Sequence, residues 1–201
     1  MDDRETHNHL LKSAWDDVEY FSNPNKEVRE RWVVSEFLSI LGIAHQENDL
    51  ISLEQANKAD VRFLSANFQV KELPNPNFKR GKMYKDVYNS IKDAKSLEDI
   101  SWVSDVHEIP PAASMYELVL GKAAELSDIE SYKALKGELD ILIYVTRTRA
   151  SLIQPSELNA GAFAKLGWRS VSCVNSKQAI VLFSSPSAPE FIKKCSQVFM
   201  R

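Results

Sequence analysis

Apolar residues recur at helical spacing over residues 5–22, where Leu10, Leu11, Ala14, Trp15, Val18 and Phe21 share one face. Asn23-Pro24-Asn25 stops this run, because proline removes a backbone donor and crowds the preceding turn. A second helical run covers residues 26–41, with Val28, Trp32, Val33, Phe37, Ile40 and Leu41 on its apolar arc and Gly42 suited to end it. The period then changes. Residues 59–64 and 68–73 read as two strands, and Ser65-Ala66-Asn67 is a link of hairpin length between them. Pro74-Asn75-Pro76-Asn77 is a loop, after which helical spacing returns over 83–97 through Tyr84, Val87, Tyr88, Ile91 and Ala94. Pro110-Pro111 breaks the chain again, and a helix is predicted over 113–127, reaching toward 135. Residues 139–146 are apolar almost throughout, as a strand covered on both faces is. Residues 170–174 and 179–183 predict a hairpin around Asn175-Ser176-Lys177, and a last helix is expected from Pro189 to about Val198. Helices before, between and after strands predict an α/β fold with a mixed central β-sheet and helices on both faces. The 201 residues are expected to form a single α/β domain (1–201), with 1–42 as an N-terminal helical pair.

Composition narrows the class. With 44% hydrophobic and 26% charged residues the chain is an ordinary globule, not a disordered or coiled-coil sequence. No run approaches the ~18 apolar residues of a membrane span. Met1-Asp2-Asp3-Arg4-Glu5 is charged and leads into no apolar core, unlike a signal peptide, so the expected location is cytoplasmic, with no membrane partner. The net charge of −3 speaks against a protein that coats nucleic acid in bulk, though not against a local basic stripe. Cys173 and Cys195 lack CxxC spacing and read as packed, reduced thiols.

Motif chemistry excludes more. None of the six glycines forms GxGxxG, GxxxxGK or GxSxG, which argues against dinucleotide, P-loop and α/β-hydrolase sites. The four histidines form no HExxH or Cys/His cluster, which argues against zinc.

What remains is a constellation on the early hairpin. Asp60 lies on its first strand, and Gln69 and Lys71 lie on its second. Residues at i and i+2 share a strand face, about 6.6 Å apart, so Gln69 and Lys71 point one way while Phe68, Val70 and Glu72 point the other. An acid, an amide oxygen and an ammonium can converge across the hairpin. This pattern resembles the PD-(D/E)xK nuclease superfamily, the restriction-endonuclease-like fold, on Ala59-Asp60 and Gln69-Val70-Lys71. Ala59 stands where that family usually has Pro, and Gln69 where it has Asp or Glu, although some members carry Gln-x-Lys. Most of the chain also resembles an uncharacterised bacterial family of about this length with an endonuclease-like fold.

The resemblance implies a metal-dependent nuclease hydrolysing DNA or RNA, with Mg²⁺ or Mn²⁺ as cofactor and Glu36, Asp60, Gln69 and Lys71 as catalytic residues. Asp60, the Gln69 oxygen and the Val70 carbonyl would hold the metal, since a hard cation takes oxygen ligands and often only one or two carboxylates. Lys71 would orient water or stabilise charge on the phosphate. Glu36 is the helix candidate. On the helical wheel it falls between Trp32 and Ile40, inside the apolar arc, whereas Glu30 lies nearer Phe37 and Leu41. Lys79, Arg80, Lys82 and Lys85 belong to a segment of local positive charge that would contact phosphates. Tyr84 and Tyr88 would either stack bases or pack in the core, and Arg147 and Arg149 form a second candidate clamp. A homodimer is a further expected assembly. The alternative is a catalytically silent nuclease-fold binding or assembly module, motivated by the neutral Gln69 and the negative total charge.

Overall fold

The period-two segments of the sequence join one sheet whose strands, in both chain and spatial order, are β1 (Ile51–Ser52), β2 (Val61–Phe63), β3 (Ala66–Leu73), β4 (Asp140–Val145), β5 (Ser170–Val174), β6 (Gln178–Ser184) and β7 (Val198–Met200). The structure is a computed structural model that describes residues 2–54, 57–75, 79–100, 112–146, 159–195 and 198–200. β1 to β3 pair antiparallel, β3 to β5 parallel, and β5 to β7 antiparallel, so the sheet is mixed. The helices are α1 (Asp3–Tyr20), α2 (Lys26–Ile40), α3 (Arg80–Asp93), α4 (Ala112–Ser127), α5 (Glu130–Lys133), α6 (Ala160–Ala164) and α7 (Glu190–Lys193).

Contacts gather in two compact units: Met1–Arg29 with Pro76–Glu108, and Glu30–Asn75 with Ile109–Arg201. In the first, α1 begins on a capping box between Asp2 and Glu5. It packs against α3 through Leu10, Leu11, Ala14, Val87 and Ile91. Within this unit α1 takes α3 as its partner, and most of α2, from Glu30 onward, belongs to the sheet-bearing unit.

In the second unit, alternation along β3 separates two cores. Phe68 and Val70 join Val33, Val34, Phe37 and Leu38 of α2 on one face. The opposite face of β4, through Ile141 and Ile143, packs with Val119 and Ala123 of α4, Tyr132 of α5, and Trp168. A parallel β3–β4 pair needs a long crossover, and that connection carries α4. Asp140 pins β3, β4 and β5 together. Its fully buried carboxylate accepts from Asn67 N (2.9 Å), Ser170 Oγ (2.7 Å) and Arg169 through both Nε (3.1 Å) and Nη2.

Several expected elements differ. The first hairpin strand shortens to Val61–Phe63 and turns at Leu64-Ser65, so that Leu64 holds a φ of +50°. The last helix is one turn long, and the chain then returns to pair with β6. The helix expected to reach 135 stops at Ser127, and α5 is separate. β1 and α6 are too short to show a period. Arg147 and Arg149 lie outside the described residues.

Candidate functional site

Asp60 sits at the head of β2, where its backbone still belongs to the ladder: its N–H donates to Phe68 O (2.8 Å) and its carbonyl accepts from Leu53 N (2.9 Å). The last β2–β3 pair in this direction is Val61–Phe68, so the Val70 N–H reaches past the end of β2. The Asp60 side chain takes the place of the missing strand, with Oδ2 accepting from Val70 N (2.9 Å) and from Gln69 Nε2. In an extended strand the N–H and C=O of one residue point to the same edge, so the Val70 carbonyl also lies on the Asp60 side. Asp60, Gln69 and Val70 are thus brought together, and Lys71, half-buried, follows Gln69 on the same face of β3.

Gln69 is only 3% exposed. Its Oε1 accepts from the Tyr132 hydroxyl (3.1 Å), which α5 brings from the second core. A buried amide needs partners at both ends, and these two supply them. A carboxylate, an amide oxygen and a strand carbonyl are the ligand types a hard cation takes, but here the amide oxygen faces Tyr132 and the amide nitrogen faces Asp60. Turning the amide over would bring Oε1 beside Asp60, and the Tyr132 hydroxyl accepts from Nε2 as readily as it donates to Oε1. Among the described residues no three of His, Cys, Asp and Glu gather into a metal-holding group.

The helix carboxylates fall differently from the wheel reading. α2 lies over β3, with Phe37 against Phe68 (ring centroids 5.9 Å apart). One flank faces β1, where Arg31 Nη1 donates to Ser52 Oγ (2.5 Å). The other faces β4, where Trp32 meets Tyr144 (5.6 Å). Glu36, one turn after Trp32, is half-buried on the β4 flank, whereas Asp60 lies on the β1 and β2 side. Glu30, not Glu36, is the buried carboxylate of α2. The helix also covers the Phe68 and Val70 face, opposite to the Gln69 amide. Spacing alone centred the apolar arc too near Trp32, which is 43% exposed.

Beside Ala59 a groove of about 380 Å³ opens on the Gln69 side of the sheet. Ala59, Leu53, Leu135 and Leu139 form its apolar walls, and Asn57, Arg62, Asn67 and Glu138 its polar lining. Two of these were legible in principle. Asn67 precedes Gln69 by two on β3, and Arg62 is its direct partner on β2. Tyr132 carried no sequence signal, since only tertiary structure brings it to Gln69.

In the helical unit, Lys79, Lys82 and Lys85 are exposed, with Lys82 bridged to Asp86 (2.6 Å). The Arg80 guanidinium lies 4.9 Å above the Phe21 ring. Phe21 in turn stacks on Tyr84 (4.5 Å, 3° between planes), and Tyr88 meets Trp15 (5.2 Å). Both tyrosines are therefore packing residues.

A family model described as "Putative endonuclease, protein of unknown function (DUF1780)" matches residues 2–200. No curated protein matches the chain. Among solved structures, a protein of unknown function from Pseudomonas aeruginosa strain PAO1, described there as of the monooxygenase superfamily, is 23% identical with a TM-score of 0.61. The match covers 100% of this chain and 97% of that one, a likeness of fold. No described helix is long and apolar enough to cross a membrane.

Proposed function

The chain belongs to the DUF1780 family of endonuclease description, and from that premise we propose that it is a metal-dependent nuclease of PD-(D/E)xK type with a Gln-x-Lys variant, built on a restriction-endonuclease-like sheet. The observation that carries the reading is the junction of Asp60 with Gln69 and Val70 at the end of β2, with Lys71 next on the same face. Asp60, the Gln69 oxygen and the Val70 carbonyl would hold Mg²⁺ or Mn²⁺. Such an ion supplies charge stabilisation to a phosphate undergoing hydrolysis. Lys71 orients the attacking water or neutralises the phosphate oxygens. The exposed Lys79, Lys82 and Lys85, with Arg80, contact the nucleic acid backbone. Glu36 enters this scheme only as a residue of the neighbouring helix, since its flank faces β4.

The test is cleavage of plasmid and single-stranded DNA and of RNA by the full chain with Mg²⁺ or Mn²⁺. Asp60→Ala is expected to cut on the order of 10²-fold more slowly, the scale of losing a principal charge-stabilising group. Equal cutting by both proteins removes the reading. A second reading, a silent binding or assembly module, draws support from the Gln69 nitrogen that faces Asp60. Calorimetric Mg²⁺ binding that disappears in Asp60→Ala counts against it.

A further inference from the structure

We infer that the groove beside Asp60 receives one unpaired nucleobase of the strand being cut, an inference that rests on the nuclease reading above. Asn67, Gln69 and Lys71 succeed one another on a single face of β3, and about 13 Å separates the first from the last at ~3.3 Å per residue. Arg62 stands directly across the ladder from Asn67. A nucleotide whose phosphate lies at the Asp60 and Lys71 end of this line therefore directs its sugar and base toward Arg62 and Asn67, where the groove opens.

Size and chemistry fit that occupant. About 380 Å³ lies in the range of small-molecule pockets. A duplex, whose major groove alone is about 12 Å wide, does not enter it. Leu135 and Leu139 offer apolar cover for the faces of a ring. Among the described residues the lining carries one cation (Arg62), one anion (Glu138) and the amides of Asn57 and Asn67, so their formal charges cancel while donors and acceptors both remain. That balance suits a neutral group with a mixed hydrogen-bonding edge better than a free anion, and each nucleobase has such an edge. Recognition of splayed, single-stranded bases is the usual way to read an edge that pairing would hide.

Displacement of a fluorescein-labelled single strand from the full chain tests this directly, with an unlabelled strand carrying one 2-aminopurine and the same strand made abasic at that position as the two competitors. The wild type is expected to bind the base-containing strand about tenfold more tightly, the scale of one or two hydrogen bonds to a charged donor. Arg62→Ala, and Asn57→Trp, which fills the groove from an exposed position, are expected to abolish that preference while circular dichroism stays native. Equal binding of both strands by the wild type, or a preference intact in both folded variants, overturns the inference. Loss of the preference in the variants alongside absence of any cleavage supports the groove and sinks the hydrolytic reading. Normal cleavage without base preference does the reverse.

Discussion

Gln69 turns its amide nitrogen, not its oxygen, toward Asp60, and Tyr132 holds the other end of the amide. A neutral donor beside a carboxylate stabilises the site without a cation, where a second carboxylate would repel the first. Gln69→Glu is therefore expected to lower stability without divalent ions by about 1–3 kcal/mol, through like charges at contact and loss of the donor. Millimolar Mg²⁺ is expected to restore much of that loss, because an ion bound only by the folded state raises its stability by mass action. Thermal unfolding with EDTA and with Mg²⁺ measures both. A variant as stable as wild type and indifferent to Mg²⁺ would contradict this account of the site.

Asp140 and Arg169 make a different kind of carboxylate site, one that organises the sheet. Removing Arg169 leaves a fully buried carboxylate with only Ser170 and the Asn67 N–H. Arg169→Met is expected to cost about 3–5 kcal/mol in urea unfolding, since breaking one side of a buried pair strands the other charge. The same arginine holds the β2–β3 turn through Ser65 O (3.1 Å), so amide exchange at that turn should accelerate as well. A loss below about 1 kcal/mol would show that Arg169 is not what offsets the buried charge of Asp140.

The sheet and the Asp60–Gln69 hairpin were legible because strand alternation is a local signal. Phe68 and Val70 had to share one face and Gln69 and Lys71 the other, and they do in β3. The flank that carries Glu36 could not be read from the sequence, because a helical wheel gives angles but no neighbour. Only the contacts of Arg31 with Ser52 and of Trp32 with Tyr144 orient α2 over the sheet. Asp140 hid inside an apolar run, although a carboxylate in a strand covered on both faces itself signals a buried partner. The last helix failed for another reason: Pro189 starts a helical turn well, but pairing with β6 wins over the residues that follow it.

Ser172 points a buried hydroxyl into the α2-side core, and among the described residues its Oγ has no hydrogen-bond partner. A buried hydroxyl without a partner costs free energy that its removal returns. Ser172→Ala is therefore expected to be neutral or up to about 1 kcal/mol more stable, despite lying in a central strand. Chemical denaturation decides the matter: destabilisation beyond about 1 kcal/mol would show that the hydroxyl is satisfied.

Cys173, on β5, is buried among Ile143, Ile180 and Leu182, and burial pushes its thiol up to about 12 from an ordinary 9.0. Burial raises Cys195 in the same direction. Between pH 9 and 12 the unfolded chain therefore releases the Cys173 proton while the folded chain keeps it. Stability from this group is whole below pH 9 and declines above it, at up to about 1.4 kcal/mol per pH unit. Cys173→Ala should make the alkaline slope of unfolding shallower by up to one proton, whatever its effect at pH 7. The native thiol should also resist a disulfide reagent at pH 8 until the chain unfolds, because the thiolate is the reactive species. Rapid labelling of Cys173 in the folded protein, or an unchanged alkaline slope in Cys173→Ala, would show that water reaches β5 and that the second core is open there.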